Sequence, residues 1–173
     1  MRKSPAQVYA LTFGLALLLA GILGFFYTAD FSTGDATKDP ANRDALIGIF
    51  DVNGWHNVVH LASGLLGLAL AGSWRSARLY AWGFGLTYLA VTAWGFAIGD
   101  GESILGLIPV NTEDNFLHLA ISLLGIVAAL ASPSAPPPTT VDGGRSSAAF
   151  IPSVVRRGQT KTPVERSGEE RVR

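Results

Sequence analysis

His56, His60 and His118 are the three histidines of the chain, and they stand beside Asn53, Asn57, Asn111 and Asn115 where the sequence turns apolar. Residues three or four apart share a helix face, so Asn53, Asn57 and His60 line one side of a helix. His56 lies beside Asn53 and one turn before His60, while Asn111, Asn115 and His118 repeat the pattern farther on. The four-residue step from His56 to His60 suits a bidentate metal pair. His118 would give a third nitrogen, and Glu113 or Asp114 a carboxylate. Two opposed histidines in a bundle could instead hold a haem, and an apolar pocket beside them would suit a quinone or another small lipophile. A titratable imidazole at membrane depth is also a means of moving protons or solutes. With no cysteine, thiolate metal sites, Fe–S clusters, disulfides and Cys nucleophiles are excluded. There is no C-x-x-C-H or H-E-x-x-H signature, no Ser/His/Asp context, no glycine-rich phosphate loop and no DNA-binding element. Thirteen basic residues balance thirteen acidic ones, so nothing draws the chain to nucleic acid.

The elements that must position these residues come in duplicate. Residues 46–67 and 104–125 share ten of 22 positions at an offset of 58, among them Asn53/Asn111, Asn57/Asn115 and His60/His118. Residues 9–25 and 80–96 share eight of 17 at an offset of 71, including Gly14/Gly85 and Gly24/Gly95. His56 has no such counterpart; Asp114 stands in its place. Acidic and basic residues are absent from 4–29, 52–74, 79–99 and 115–141, a segmentation that a soluble core does not need and a membrane protein does.

The expectation is an all-α, four-helix integral membrane bundle of two parallel-repeat helical hairpins. It occupies residues 1–132, with helices at about 8–28, 52–73, 78–98 and 110–132, and residues 133–173 form a disordered cytoplasmic tail. The first apolar run ends in Phe25-Phe26-Tyr27, an interfacial anchor, and so reads as a retained span and not a signal peptide. The second helix is short for a span unless its Asn/His head sits at interfacial depth or is covered by neighbours. The apolar stretch 45–50 reads as lying on the membrane surface or opening a short helix. Ala10/Gly14, Ala20/Gly24 and Ala81/Gly85 read as packing notches. Trp74, Arg75 and Arg78 mark an interface, with the two arginines toward anionic head groups. Eleven of the thirteen Lys/Arg fall in the N-terminus, the 74–78 turn and the tail. Both termini are therefore expected to be cytoplasmic in the cell membrane, with both Asn/His heads toward the outer side.

The strings VNGWHNVVHLASGLLGL, ARLYAWGFGLTYLAV and LGLIPVNTEDNFLHLAISLLG resemble those of a family of actinobacterial membrane proteins known as domain of unknown function 4383. The resemblance covers about 6–132 and implies a four-helix integral membrane domain, without an activity to carry over.

The leading reading is a non-enzymatic membrane protein, structural or accessory. Its Asn/His heads hydrogen-bond across helices or cap them, and small residues such as Gly64, Gly67, Ser122 and Gly125 permit close approach. No cofactor is expected on this reading. Its partners are the lipid bilayer and, in addition, further copies of the chain or other membrane proteins. The alternative is a metal-, haem- or quinone-binding redox component using His60 and His118.

Overall fold

The computed structural model of the chain describes residues 2–42 and 44–133. Ser4 opens helix α1 (Pro5–Tyr27). Its hydroxyl accepts from the Gln7 amide at 3.2 Å, while the Gln7 side-chain oxygen accepts from the Ser4 amide at 3.0 Å. Pro5 takes the first helical position, where no amide hydrogen is needed, so the helix begins three residues before the expected 8. Helix α2 runs Gly54–Leu70, α3 Trp74–Ile98 and α4 Thr112–Leu130. The expected second helix, 52–73, is shorter at both ends: Asn53 caps its start, and α3, capped by Ser73, begins at Trp74, four residues before the expected 78. Helix α4 likewise falls inside the expected 110–132 because Asn111 caps it.

Helices α1, α3 and α4 are long and apolar enough to cross a membrane. Helix α2, at 17 residues, covers only about 26 Å at ~1.5 Å per residue. Large apolar side chains such as Leu15, Leu19, Leu65, Leu86 and Leu124 point outward, an arrangement suited to hydrocarbon.

The fold is mostly helical as expected, and short strands lie in the loops between the helices. Residues 45–50 do not open a helix: β1 (Asp44–Leu46) pairs antiparallel with β2 (Phe50–Val52). After α3, β3 (Ser103–Ile104) pairs in the same way with β4 (Ile108–Pro109). Each hairpin turns through two residues of positive φ, Ile47 (51°) with Gly48 (73°) and Leu105 (55°) with Gly106 (66°). That sign matches the right-handed twist of the paired strands. Glycine adopts it freely, whereas a β-branched Ile47 stores on the order of 1–3 kcal/mol of strain. The first loop also holds two 3-10 turns, Gly34–Lys38 and Pro40–Asn42. The former rests on the second β-hairpin: the Gly34 amide and the Thr37 hydroxyl both donate to the Gly106 carbonyl, at 2.8 and 2.9 Å. Lys38 reaches Glu102 at 2.9 Å.

Helix α1 packs chiefly on α2, and α3 on α4. Small residues set the approach. A Cβ on Gly14 would meet the Leu68 backbone nitrogen at 2.9 Å, and one on Gly85 the Ser122 carbonyl at 3.1 Å. The two helical pairs are joined by buried tyrosines, Tyr9 donating to the Ile121 carbonyl at 3.0 Å and Tyr80 to the Ser63 carbonyl at 3.2 Å. Tyr9, Tyr80, Phe84 and Tyr88 form a ladder of neighbouring rings 4.2–6.3 Å apart that continues toward the histidines. At the opposite end, Gln7 donates to the Ala71 carbonyl (3.1 Å), Ser132 accepts from the Ala6 amide (2.8 Å) and Arg78 donates to the Ala129 carbonyl (2.9 Å). Arg78 is thus engaged with the end of α4, while Arg75 is exposed and Trp74 half-buried. Apart from Pro133, the tail expected to be disordered lies outside the described residues.

A buried histidine–aspartate cluster beneath two asparagine caps

Asn53 and Asn111 precede their helices instead of lying within them. Each has extended backbone, and each side-chain oxygen accepts from the amide three residues on: Asn53 from His56 and Asn111 from Asp114, both at 2.9 Å. The same side chains then reach across. Asn53 Nδ2 donates to the Leu107 carbonyl at 2.7 Å and Asn111 Nδ2 to the Ile49 carbonyl at 2.6 Å. Each acceptor directly follows the positive-φ pair of a β-hairpin turn. Each cap therefore ties its own helix to the β-hairpin that precedes the other one.

Asn57 and Asn115 sit elsewhere, inside the helical pairs. Asn57 donates to the Thr28 carbonyl at 3.0 Å, just past the end of α1. A Cβ on Gly24 would overlap the Asn57 side-chain amide, and one on Gly95 would overlap that of Asn115. Glycine at these two positions makes room for a buried amide at the top of each pair.

The cluster lies beneath the caps. His56 and His60 come from α2, Asp114 and His118 from α4, and all four are at least nine-tenths buried. Asp114 bridges two imidazoles, its carboxylate oxygens 3.6 Å from His56 Nε2 and 3.4 Å from His118 Nε2. Ring centroids are 4.3 Å apart for His56–His60, 6.0 Å for His56–His118 and 6.4 Å for His60–His118. His56 Nδ1 donates to the Asp51 carbonyl at 3.0 Å, which turns Nε2 toward Asp114. His60 has no hydrogen-bond partner on either ring nitrogen among the described residues. One such buried orphan ordinarily costs about 1–3 kcal/mol. Tyr88 closes one side, edge-on to His118 with centroids 4.7 Å apart.

Of the residues singled out in the sequence, His56, His60 and His118 converge with Asp114. Glu113 is exposed and outside the cluster. Tyr88 and the Ile49 and Leu107 carbonyls escaped the sequence reading. The 58-residue offset, which pairs Ile49 with Leu107 as it pairs Asn53 with Asn111, is the signal that points to those carbonyls.

No curated protein and no solved structure matches the chain. The model of one family, described as a domain of unknown function (DUF4383), matches residues 7–131 and so takes in all but the first two residues of the four helices, both asparagine caps and the whole cluster. This chain belongs to the family of domain of unknown function 4383.

Proposed function

We propose that the chain is a multi-pass protein of the cell membrane, structural or accessory in kind. Its two parallel helical pairs descend from one duplicated unit and are locked together near the outer face by the Asn/His heads. The observation that carries this reading is the reciprocity of the asparagine ties. At the offset of 58, the Asn53–Leu107 bond becomes the Asn111–Ile49 bond with its direction reversed. The tyrosine bonds support it in the same way, because Tyr9 corresponds to Tyr80 and Ser63 to Ile121. On this reading both termini lie in the cytoplasm and the caps outside, which the distribution of basic residues supports. Lipid is then the immediate partner, and self-association or association with other membrane proteins is what an accessory role requires.

The test is to express residues 1–72 and 73–173 as separate chains in one membrane and purify one half in the presence of a chelator. The halves should copurify, and an Asn53→Ala/Asn111→Ala pair should abolish this. Full copurification by the double variant, or none by the wild-type halves, would sink the proposal.

A second reading, the redox component, draws its support from one observation, the unpartnered nitrogens of His60.

A further inference from the structure

We infer that His56, His60, His118 and Asp114 form a binding site for one divalent transition-metal ion, of zinc type, that clamps α2 to α4. Zinc is held by neutral imidazole nitrogen and carboxylate oxygen, and four protein ligands with no open position mark a structural site. The described residues put three imidazoles and one carboxylate in one buried place, and the imidazole nitrogens that would bind all lie within 4.8 Å of one another. A tetrahedral shell with Zn–N bonds of ~2.0–2.1 Å needs ligand atoms about 3.3 Å apart. Asp114 already stands 3.4 and 3.6 Å from two of the nitrogens. The imidazole nitrogens must draw in from separations of up to 4.8 Å, and among the described residues the His60 ring has no hydrogen bond to break in doing so.

Two further observations point to a cation. His56 gives its Nδ1 hydrogen to a backbone carbonyl, the arrangement that fixes the tautomer of a metal-bound histidine and presents Nε2 to the ion. A hydrogen-bonded packing role accounts for Asn53 and Asn111 but not for His60, which is 7% exposed and has no hydrogen-bond partner on either ring nitrogen among the described residues. With its hydrogen on Nδ1, His56 Nε2 faces the Asp114 carboxylate as acceptor to acceptor, and a cation between them satisfies both.

The other candidates fit less well. A haem between His60 and His118 would need its plane where the His56 ring stands, 4.3 and 6.0 Å from those two. A quinone has room in the apolar groove of about 390 Å³ that runs from Leu17 and Phe50 to the cluster. An imidazole N–H could donate to one of its carbonyl oxygens, but a quinone offers neither a donor nor a cation to the Asp114 carboxylate, as zinc does. The clamp is built on the locked arrangement proposed above, and the chelator in the copurification test keeps the failure of one distinct from the failure of the other.

The experiment uses the full chain, purified in mild detergent on a tag without histidine, stripped with chelator and dialysed against zinc chloride. The wild type should retain about one zinc per chain and melt at a higher temperature with zinc than without it. His60→Leu and Asp114→Asn should each bind at least about 100-fold more weakly and lose the zinc-dependent rise. Losses of 10–100-fold are usual when only a supporting residue is removed. Glu113→Gln, altered one residue from the cluster but on the exposed face, should bind as the wild type does. Because His60 makes no hydrogen bond, the metal-free His60→Leu protein should melt no lower than the metal-free wild type. Cobalt supplies a readout that needs no variant: a tetrahedral nitrogen/oxygen shell absorbs strongly in the visible, and a solvated octahedral ion only weakly. Substoichiometric zinc in the wild type, wild-type zinc binding by His60→Leu, or a weak octahedral cobalt spectrum would each overturn the inference.

Discussion

Replacing Asn53 separates the two jobs that its side chain performs. Asn53→Ala removes the cap on the His56 amide, worth about 1 kcal/mol. It also removes the tie to the Leu107 carbonyl, worth about 0.6 kcal/mol between helices in lipid, and strands that carbonyl at a further cost of about 1 kcal/mol. The sum is a loss of about 2–3 kcal/mol. Serine is as good a cap as asparagine but too short to reach Leu107, so Asn53→Ser should lose only about 1.6 kcal/mol. The assay is unfolding by rising SDS mole fraction in mixed micelles, followed by circular dichroism, with the full chain. Combining each variant with Asn111→Ala then tests whether the two ties act together, since neighbours sharing a network are non-additive. Equal losses for the alanine and serine variants would mean that the cross-tie contributes nothing. A loss below about 0.5 kcal/mol for alanine would refute the burial argument altogether.

Gly24→Ala and Gly95→Ala should each cost about 1–3 kcal/mol in the same assay, because the new methyl group overlaps a buried asparagine amide. Gly83→Ala, on an exposed face of α3 with nothing within 4 Å, should be neutral or gain up to about 1 kcal/mol in helix propensity. Tyr9→Phe and Tyr80→Phe each remove one bond between the helical pairs and should lose about 0.5–1.5 kcal/mol, with little change in helix content. Lys38 has its pKa raised by hydrogen bonds to Glu102 and Asp35. Its contribution should therefore be fully present below the ordinary lysine value of 10.5 and fade as pH rises through the raised value. Lys38→Met should flatten the fall in melting temperature above about pH 10.5.

The number of helices, their apolar character and the meeting of His60 with His118 were legible because uncharged segments and a 58-residue offset survive in the amino-acid string. The β-hairpins were not. Ala45 to Phe50 shows no period-2 alternation, and the turns depend on an isoleucine and a leucine held at positive φ, conformations their side chains disfavour. The role of Asn53 and Asn111 was half legible, since three-residue spacing alone does not distinguish a helix face from a cap and its third residue. Asp114 was named with Glu113 as an alternative, and only the helix phase set by the Asn111 cap decides which of the two carboxylates turns inward. Asn57 shared a helix face with Asn53 and His60 in the sequence reading. The space left by Gly24 draws it toward α1 instead.

The most direct test of two helical pairs with both capped heads on one side is cysteine accessibility in intact cells. The chain has no cysteine, so Asp35→Cys, Glu102→Cys and Arg75→Cys each place a single thiol at an exposed or partly exposed position. A membrane-impermeant maleimide should label the first two from outside and the third only after permeabilisation. Labelling of Asp35→Cys and Glu102→Cys from opposite sides would contradict the account, because the asparagine ties could not then form.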